Sequence, residues 1–450
     1  MFLFLLVLTA LPGCATYAQF TGDLQRDLAR GDYEAALGTL NDADSGANRL
    51  LFLMENGLVA HDRGHYEQSN VYFERAERLA DRLFTRSLSR EVAALVTNDA
   101  VRAYRGEEYE LVFIHYYRAL NYWRLGLPED ALVECRKANL KLARYTADGD
   151  YESRYRNDAF IHYMTGLFYE ATGELNDAYV SYRDAAKAYA VYDEKLGVPP
   201  PALLDEDLRR VSKIFDGEDA SAVQLASLGT PFLPRPTGDG ELVLFAETGF
   251  VPRKIQKEID LPIFDDDIRK GKSGDISVVS KQIAWRHHRP YRSAKVEYWL
   301  RVALPVYQDA HPRVASVSLR ASGKSTRAVP AENLAAIARS TFHDKQPVMI
   351  ARTVARGFAK YLATEGVKKK NKVLGFFANL LAASTEAADT RSWVSLPHTI
   401  HIGKLRLPPG VHDITVESRD ASGHIIEKKV LEGVQILSGE RTFLNVRSYK

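Results

Sequence analysis

Cysteine is nearly absent: the 450 residues hold two, Cys14 and Cys135. Long apolar runs are scarce as well. A bilayer-spanning helix needs roughly 20 consecutive apolar residues, and neither Phe2 to Leu11 nor Val373 to Ala383 reaches that length. No sign of charge dominates, since 60 Lys and Arg face 58 Asp and Glu for a net charge of +2. Nothing global therefore points to nucleic acid. The chain also lacks a nucleophile elbow, a zinc-binding helix motif and a dinucleotide fingerprint. The expectation is a protein that is not an enzyme, with no catalytic residue, no metal ligand and no cofactor. What the chain does have is aromatic side chains, 23 Tyr and 19 Phe, enough for a sizeable core.

Phe2 to Leu11 has the length of the apolar core of a secretory signal and runs into Leu11-Pro12-Gly13-Cys14. These four residues resemble the lipobox of bacterial lipoproteins. The resemblance implies that residues 1–13 are a signal peptide and that Cys14 carries covalent diacylglycerol and N-acyl lipid. Each buried methylene contributes about 0.8 kcal/mol, so two or three acyl chains anchor firmly. Ala15 follows the cysteine where an inner-membrane protein of the enterobacterial kind would carry Asp. That implies the periplasmic face of the outer membrane. Met1-Phe2-Leu3 lacks the Lys or Arg that opens an export signal, so translation is expected to start upstream. With Cys14 acylated, Cys135 has no partner for a disulfide within the chain.

Composition changes near residue 230. Ala, Leu, Tyr, Arg and Glu dominate before it; Pro-rich turns and runs of Val, Ile, Leu and Thr follow. The Pro- and Gly-rich stretch 229–240 reads as a linker. Before it, four segments each place a Gly at a turn ahead of an apolar-periodic helix, at Gly31, Gly64, Gly126 and Gly173. Their spacings are 33, 62 and 47 residues. The pattern resembles the tetratricopeptide repeat, a helix-turn-helix unit of about 34 residues. Gly166, Tyr169, Gly173, Ala178, Tyr182 and Ala185 match its offsets best; Gly57, Gly64, Phe73 and Ala76, and Ala119, Tyr122, Gly126, Ala131 and Ala138, match in two further units. Leu204 to Phe215 has helical spacing and reads as the cap of the solenoid.

The second half reads as strands: a short apolar run at 241–247, period-2 alternation at 296–304 and 314–320, and short strands between turns at 399–405, 411–418, 424–431 and 442–448. Helices are expected between them, from Pro330 to about Leu362 and from about Lys372 to Ala383. The fold class expected is therefore α+β multidomain. A helical repeat domain over 14–228 precedes a mainly β, sandwich-like domain over 241–450, with helices inserted at about 330–385.

Several suggestive patterns have ordinary readings. Ser322-Gly323-Lys324-Ser325 resembles the end of a phosphate-binding loop, but Ser318 stands where that loop needs Gly; a hairpin turn fits better. His61 and His65 are four apart, the spacing of two metal ligands on a helix, but Gly64 ends the helix between them, which favours a solvated turn. His287-His288 lies in a basic, loop-like stretch. His398 and His401 point to opposite faces of a strand. The lysines at 368–370 and 372 beside Val373 to Leu381 fit a solvated loop before a core helix better than a membrane-surface segment.

The first helix of each tetratricopeptide unit lines a concave groove. By that resemblance Tyr116, Trp123, Tyr163 and Leu167 face an extended peptide or helix, and Arg124 and Glu170 supply polar contacts. Aromatic side chains suit such a surface because they bury much area with little rotamer loss. The chain as a whole resembles a family of proteobacterial lipoproteins with tetratricopeptide repeats and a β-rich C-terminal region. The resemblance rests on Leu11-Pro12-Gly13-Cys14, His115 to Tyr122 and Ala388 to Pro397. It implies a periplasmic scaffold, bound to the membrane by lipid, that holds an envelope protein partner. An alternative is an adaptor in peptidoglycan or polysaccharide assembly or export that binds glycan through its β-domain.

Overall fold

Glycine at a left-handed backbone position ends a helix without steric cost. Gly31, Gly64, Gly126 and Gly173 all take that role, with φ of 73°, 78°, 73° and 87°. Around them the chain folds into helical hairpins: α1 (Gly13–Arg30) with α2 (Tyr33–Ala43), α3 (Arg49–Asp62) with α4 (Tyr66–Leu88), α5 (Glu108–Arg124) with α6 (Pro128–Ala147), and α7 (Ala159–Thr172) with α8 (Leu175–Leu196). α9 (Ala202–Phe215) closes the row against α8. The structure, a computed structural model, describes residues 13–43, 46–88, 103–147, 157–215, 238–264, 267, 296–308, 312–368 and 388–450. The residues before Gly13, most of the linker, His287-His288 and the helix expected at 372–383 lie outside these.

Helix partners cross closely where one contributes no side chain. A Cβ on Gly57 would lie 2.6 Å from the Phe73 ring, and one on Gly166 would lie 2.4 Å from the Tyr182 ring. α7 starts where Asp158 accepts a 2.8 Å hydrogen bond from the Ile161 amide, a side-chain cap for an otherwise unpartnered donor.

The second half contains β1 (Gly240–Thr248), β2 (Lys254–Phe264), β3 (Val296–Tyr307), β4 (Ser316–Ala321), β5 (Lys324–Asn333), β6 (Thr399–Leu407), β7 (Gly410–Arg419), β8 (Ile425–Ile436) and β9 (Arg441–Ser448). Between β5 and β6 lies α10 (Leu334–Lys368). Seven strands form one sheet in the order β8-β7-β4-β5-β6-β1-β9, all antiparallel except β1 with β9. A two-sheet sandwich was expected; instead this single sheet curls until its ends nearly meet. Thr442 Oγ1 on β9 donates to the Gln435 carbonyl on β8 at 3.2 Å, and Lys429 Nζ on β8 donates to the Arg447 carbonyl on β9. β2 and β3 form a separate ribbon covered by Ile350, Val354 and Phe358 of α10.

Strand periodicity sorts the sheet's two faces. Leu242, Leu244, Ala246, Leu405, Leu407, Leu444 and Val446 point into the curl, with Leu319 and Val416 from across it. Val243, Phe245, Ile400, Ile402 and Phe443 point the other way and share one core with the helices. β1 is thus buried on both faces, which accounts for its nearly continuous apolar sequence. β4 and β5 join through Ser322 and Gly323, both at positive φ (48° and 74°), a two-residue hairpin turn of the primed kind. Pro330 sits in β5 rather than opening a helix, at a register shift against β6 where its missing N–H is tolerated. The helix starts four residues later, where Asn333 Oδ1 accepts from the Ala336 amide at 3.0 Å.

Candidate functional site

The row of first helices presents its aromatic strip to the chain's own β-sheet. Tyr116 and Leu167 are fully buried. The Tyr116 hydroxyl donates to Glu247 Oε1 at 2.9 Å, and Tyr117 donates to the other oxygen at 3.0 Å. Trp123 lies 4.5 Å from the Phe168 ring and 4.7 Å, edge to face, from Phe443 of β9. Tyr163 donates to Asp207 Oδ2 at 2.7 Å, under the ammonium of Lys404 from β6. Glu170 is held by Arg441 of β9 at 2.7 Å and by Arg210 of α9. Of the six groove residues anticipated from sequence, four meet the sheet or stand in its polar network, and Leu167 is buried in the core that helices and sheet share. Arg124 does neither: it is exposed and donates to the Tyr66 hydroxyl at 3.2 Å.

An irregular strap, Arg391 to Leu396, turns at Val394 and Ser395 and packs against α3 and α5. Trp393 is among the largest fully buried side chains. Its amide donates to Glu110 Oε1 at 2.8 Å, and the Val394 amide donates to Glu55 Oε1 at 3.0 Å. The Ser395 hydroxyl donates to the other Glu55 oxygen, and Gln25 Nε2 reaches the Val394 carbonyl at 2.8 Å. Buried carboxylates thus take the strap's amides, and Trp393 is its aromatic anchor. Burial raises the carboxyls of Glu55 (to about 8), Glu110 and Glu247 (to about 7). Glu332 of β5 is raised well above the carboxylate range, by burial first and then by the charge of Asp158.

Charge at the far end is balanced. Arg210, Arg441 and Lys404 interlock with Glu170, Asp207 and Glu241, joining α7 and α9 to β1, β6 and β9. At the ribbon, Lys254 of β2 and Lys345 of α10 both hold Glu107, at 2.5 and 2.8 Å. Burial alone would raise the Glu107 carboxyl, but these two cations bring it far below its usual range.

His61 is not in a solvated turn, as its sequence position suggested; it is buried while His65 is exposed. Its Nδ1–H donates to Asn121 Oδ1 at 2.6 Å, and its Nε2 accepts from Asn445 of β9 at 2.6 Å. Asn121 in turn donates to Ser69 and Asn70, each at 2.9 Å. This chain of donors fixes one neutral tautomer. Burial lowers the imidazole's pKa accordingly.

Among the described residues, Glu77, His115 and Glu134 bring three candidate metal-ligand atoms within 4.8 Å of one another. Arg118 already bonds both carboxylates, at 2.6 and 3.1 Å, and Lys137 reaches Glu134 at 3.1 Å. Two cations neutralise two carboxylates, so the knot locks α4, α5 and α6 without an ion. Cys135, the other cysteine, is fully buried, and burial pushes its thiol up to about 12.

Sequence reading missed Glu55, Glu110, Glu247 and Asp207. The one available signal was a carboxylate inside an apolar stretch, as in Leu53-Met54-Glu55 or Phe245-Ala246-Glu247. No known protein family matches the chain, and no curated protein matches it. Among the described residues no helix is long and apolar enough to cross a membrane.

Proposed function

We propose that the chain is a lipid-anchored envelope lipoprotein and a non-enzymatic tetratricopeptide scaffold, held through acylated Cys14 at the periplasmic face of the outer membrane. The lipobox-like Leu11-Pro12-Gly13-Cys14 supports the anchor. The close helix crossings at Gly57 and Gly166, with left-handed glycines at each hairpin, support the repeat reading. One observation carries the scaffold reading. The aromatic strip of the repeats is occupied in cis by the sheet and by Arg391 to Leu396. Helices and sheet then form a single rigid body on the tether. In this reading the repeats clamp their own β-region, and an envelope protein binds the outer faces rather than the strip.

Three measurements test it. A fatty-acid analogue should label the protein and fail to label Cys14→Ser; label retained in that variant overturns the anchor. Crosslinking of the full chain in membranes should capture a specific envelope protein. Sedimentation with isolated peptidoglycan and no protein crosslink would replace the scaffold with the glycan adaptor.

A further inference from the structure

Where α1 meets the β1–β2 turn, the segments flanking β3 and β4, and the chain after β9, there is an open cleft of about 300 Å³. We propose that this cleft binds a phosphate-bearing head group. Its charged lining residues are Arg253, Arg313 and Lys450, and no Asp or Glu side chain lines it. The two arginines are also uncompensated. Arg253 donates to the Gln308 amide oxygen at 3.2 Å, and Lys450 Nζ donates to the Ala29 carbonyl at 3.2 Å. Among the described residues none of the three forms an ion pair with a carboxylate.

Cations gathered along a concave surface concentrate anions there. Three of them match a phosphate, with its several acceptor oxygens, better than a lone carboxylate, which one guanidinium satisfies. The uncharged lining fits the rest of a head group. Phe250 and Tyr449 stack with ring centroids 5.1 Å apart, an apolar wall for a glycerol or sugar carbon face. Behind them the buried Arg447 guanidinium lies 4.5 Å from the Tyr449 ring, its charge offset by the nearby carboxylates of Glu247 and Asp62. The Gln25 and Gln308 amides add uncharged polar groups.

Two sources carry this phosphate chemistry, a free phosphate ester and a membrane lipid. Gln25 lies eleven residues beyond Cys14 on α1, about 16 Å at the rise of an α-helix. A lipid source rests on the anchored reading above; the phosphate chemistry does not. The test uses the full chain carrying Cys14→Ser, so that acylation plays no part. Its binding to sn-glycerol 3-phosphate is measured by calorimetry. Its flotation is measured with phosphatidylcholine vesicles, with and without phosphatidylglycerol. Each is repeated with Arg253→Gln/Arg313→Gln added, and with Arg75→Gln on an exposed face of α4 as the charge control. The expected result is binding weakened about tenfold or more, or 1.4 kcal/mol, by the double substitution and unchanged by the control. Flotation that depends on phosphatidylglycerol and on both arginines assigns the lipid source, and binding of glycerol phosphate without flotation assigns the free one. The proposal is overturned if neither probe binds, or if the double substitution has no more effect than the control. Loss of the fatty-acid label test would leave this result standing.

Discussion

The Tyr116 hydroxyl on α5 donates a 2.9 Å hydrogen bond to Glu247 Oε1 on β1, joining residues 131 apart in sequence inside a fully buried environment. Helical row and sheet are thereby joined at their centres as well as at their rims. Around this bond, buried polar groups from the two halves satisfy one another, and their energetics yield measurable consequences.

The first concerns pH. Burial raises the Glu247 carboxyl to about 7 and that of Glu55 to about 8. A carboxyl that holds its proton more tightly when folded stabilises the fold fully below its unfolded pKa. That contribution fades as pH rises through the folded value. Unfolding free energy should therefore fall between about pH 5 and pH 8.5, by on the order of 3 kcal/mol for Glu247 alone. Glu247→Gln should flatten the slope, as urea titrations across this range would show. A slope as steep in the variant as in the parent contradicts the assignment.

Trp393 should act as the anchor of the strap. Truncating a buried Trp to Ala costs about 3–5 kcal/mol. Hydrogen exchange should show the amides of Trp393 and Val394, bonded to Glu110 and Glu55, among the slowest of any irregular segment. Fast exchange there in the intact protein would mean that the strap is not held as described.

Arg441 bonds Glu170 and Glu241 at 2.7 and 2.6 Å with its side chain 10% exposed. Arg441→Met strands two carboxylates, and breaking a buried network from one side costs about 3–5 kcal/mol. Adding Glu170→Gln and Glu241→Gln should restore part of the loss. Thermal unfolding of the single and triple variants decides it.

Gly166→Ala should destabilise by about 1–3 kcal/mol through overpacking, because the new Cβ would lie 2.4 Å from the Tyr182 ring. Combined with Tyr182→Leu the penalty should be less than additive. Additive losses in denaturant melts would show that the helices do not meet there.

Cys135 should be inert. Its thiol is fully buried and pushed up to about 12, and the thiolate is the reactive form. In a Cys14→Ser background, maleimide should label the protein only after denaturation. Rapid labelling of the folded chain would place Cys135 elsewhere.

Much of the architecture is legible in local pattern. Glycine spacing located the hairpin turns, and short apolar or alternating runs located seven of the nine strands among the described residues. The two that escaped have physical reasons. β2 begins with Lys254-Ile-Gln-Lys-Glu-Ile259, where Lys257 and Glu258 face solvent and Lys254 is buried only through its pairing with Glu107, so only Leu261 and Ile263 carry a core signal. β5 contains Pro330 and few apolar residues, and it is held by its two neighbours, β4 and β6. The groove strip was legible as an aromatic face but its occupant was not. Period-2 alternation shows that Val243, Phe245 and Glu247 share one side of β1, and says nothing about what lies opposite.

The amino-acid sequence by itself determined the helical hairpins, their turns and the close crossings, because each depends on residues within about one repeat of one another. It also carried the lipobox-like Cys14 segment, a matter of four adjacent residues. Only the tertiary structure decided that the strip is filled from within, that Glu55 receives the Ser395 hydroxyl from 340 residues away, and that Arg253, Arg313 and Lys450 share one cleft. Those pairings follow from how a curled sheet seats against a row of helices. A buried carboxylate or an uncompensated arginine acquires its meaning from partners that the chain brings near only by folding.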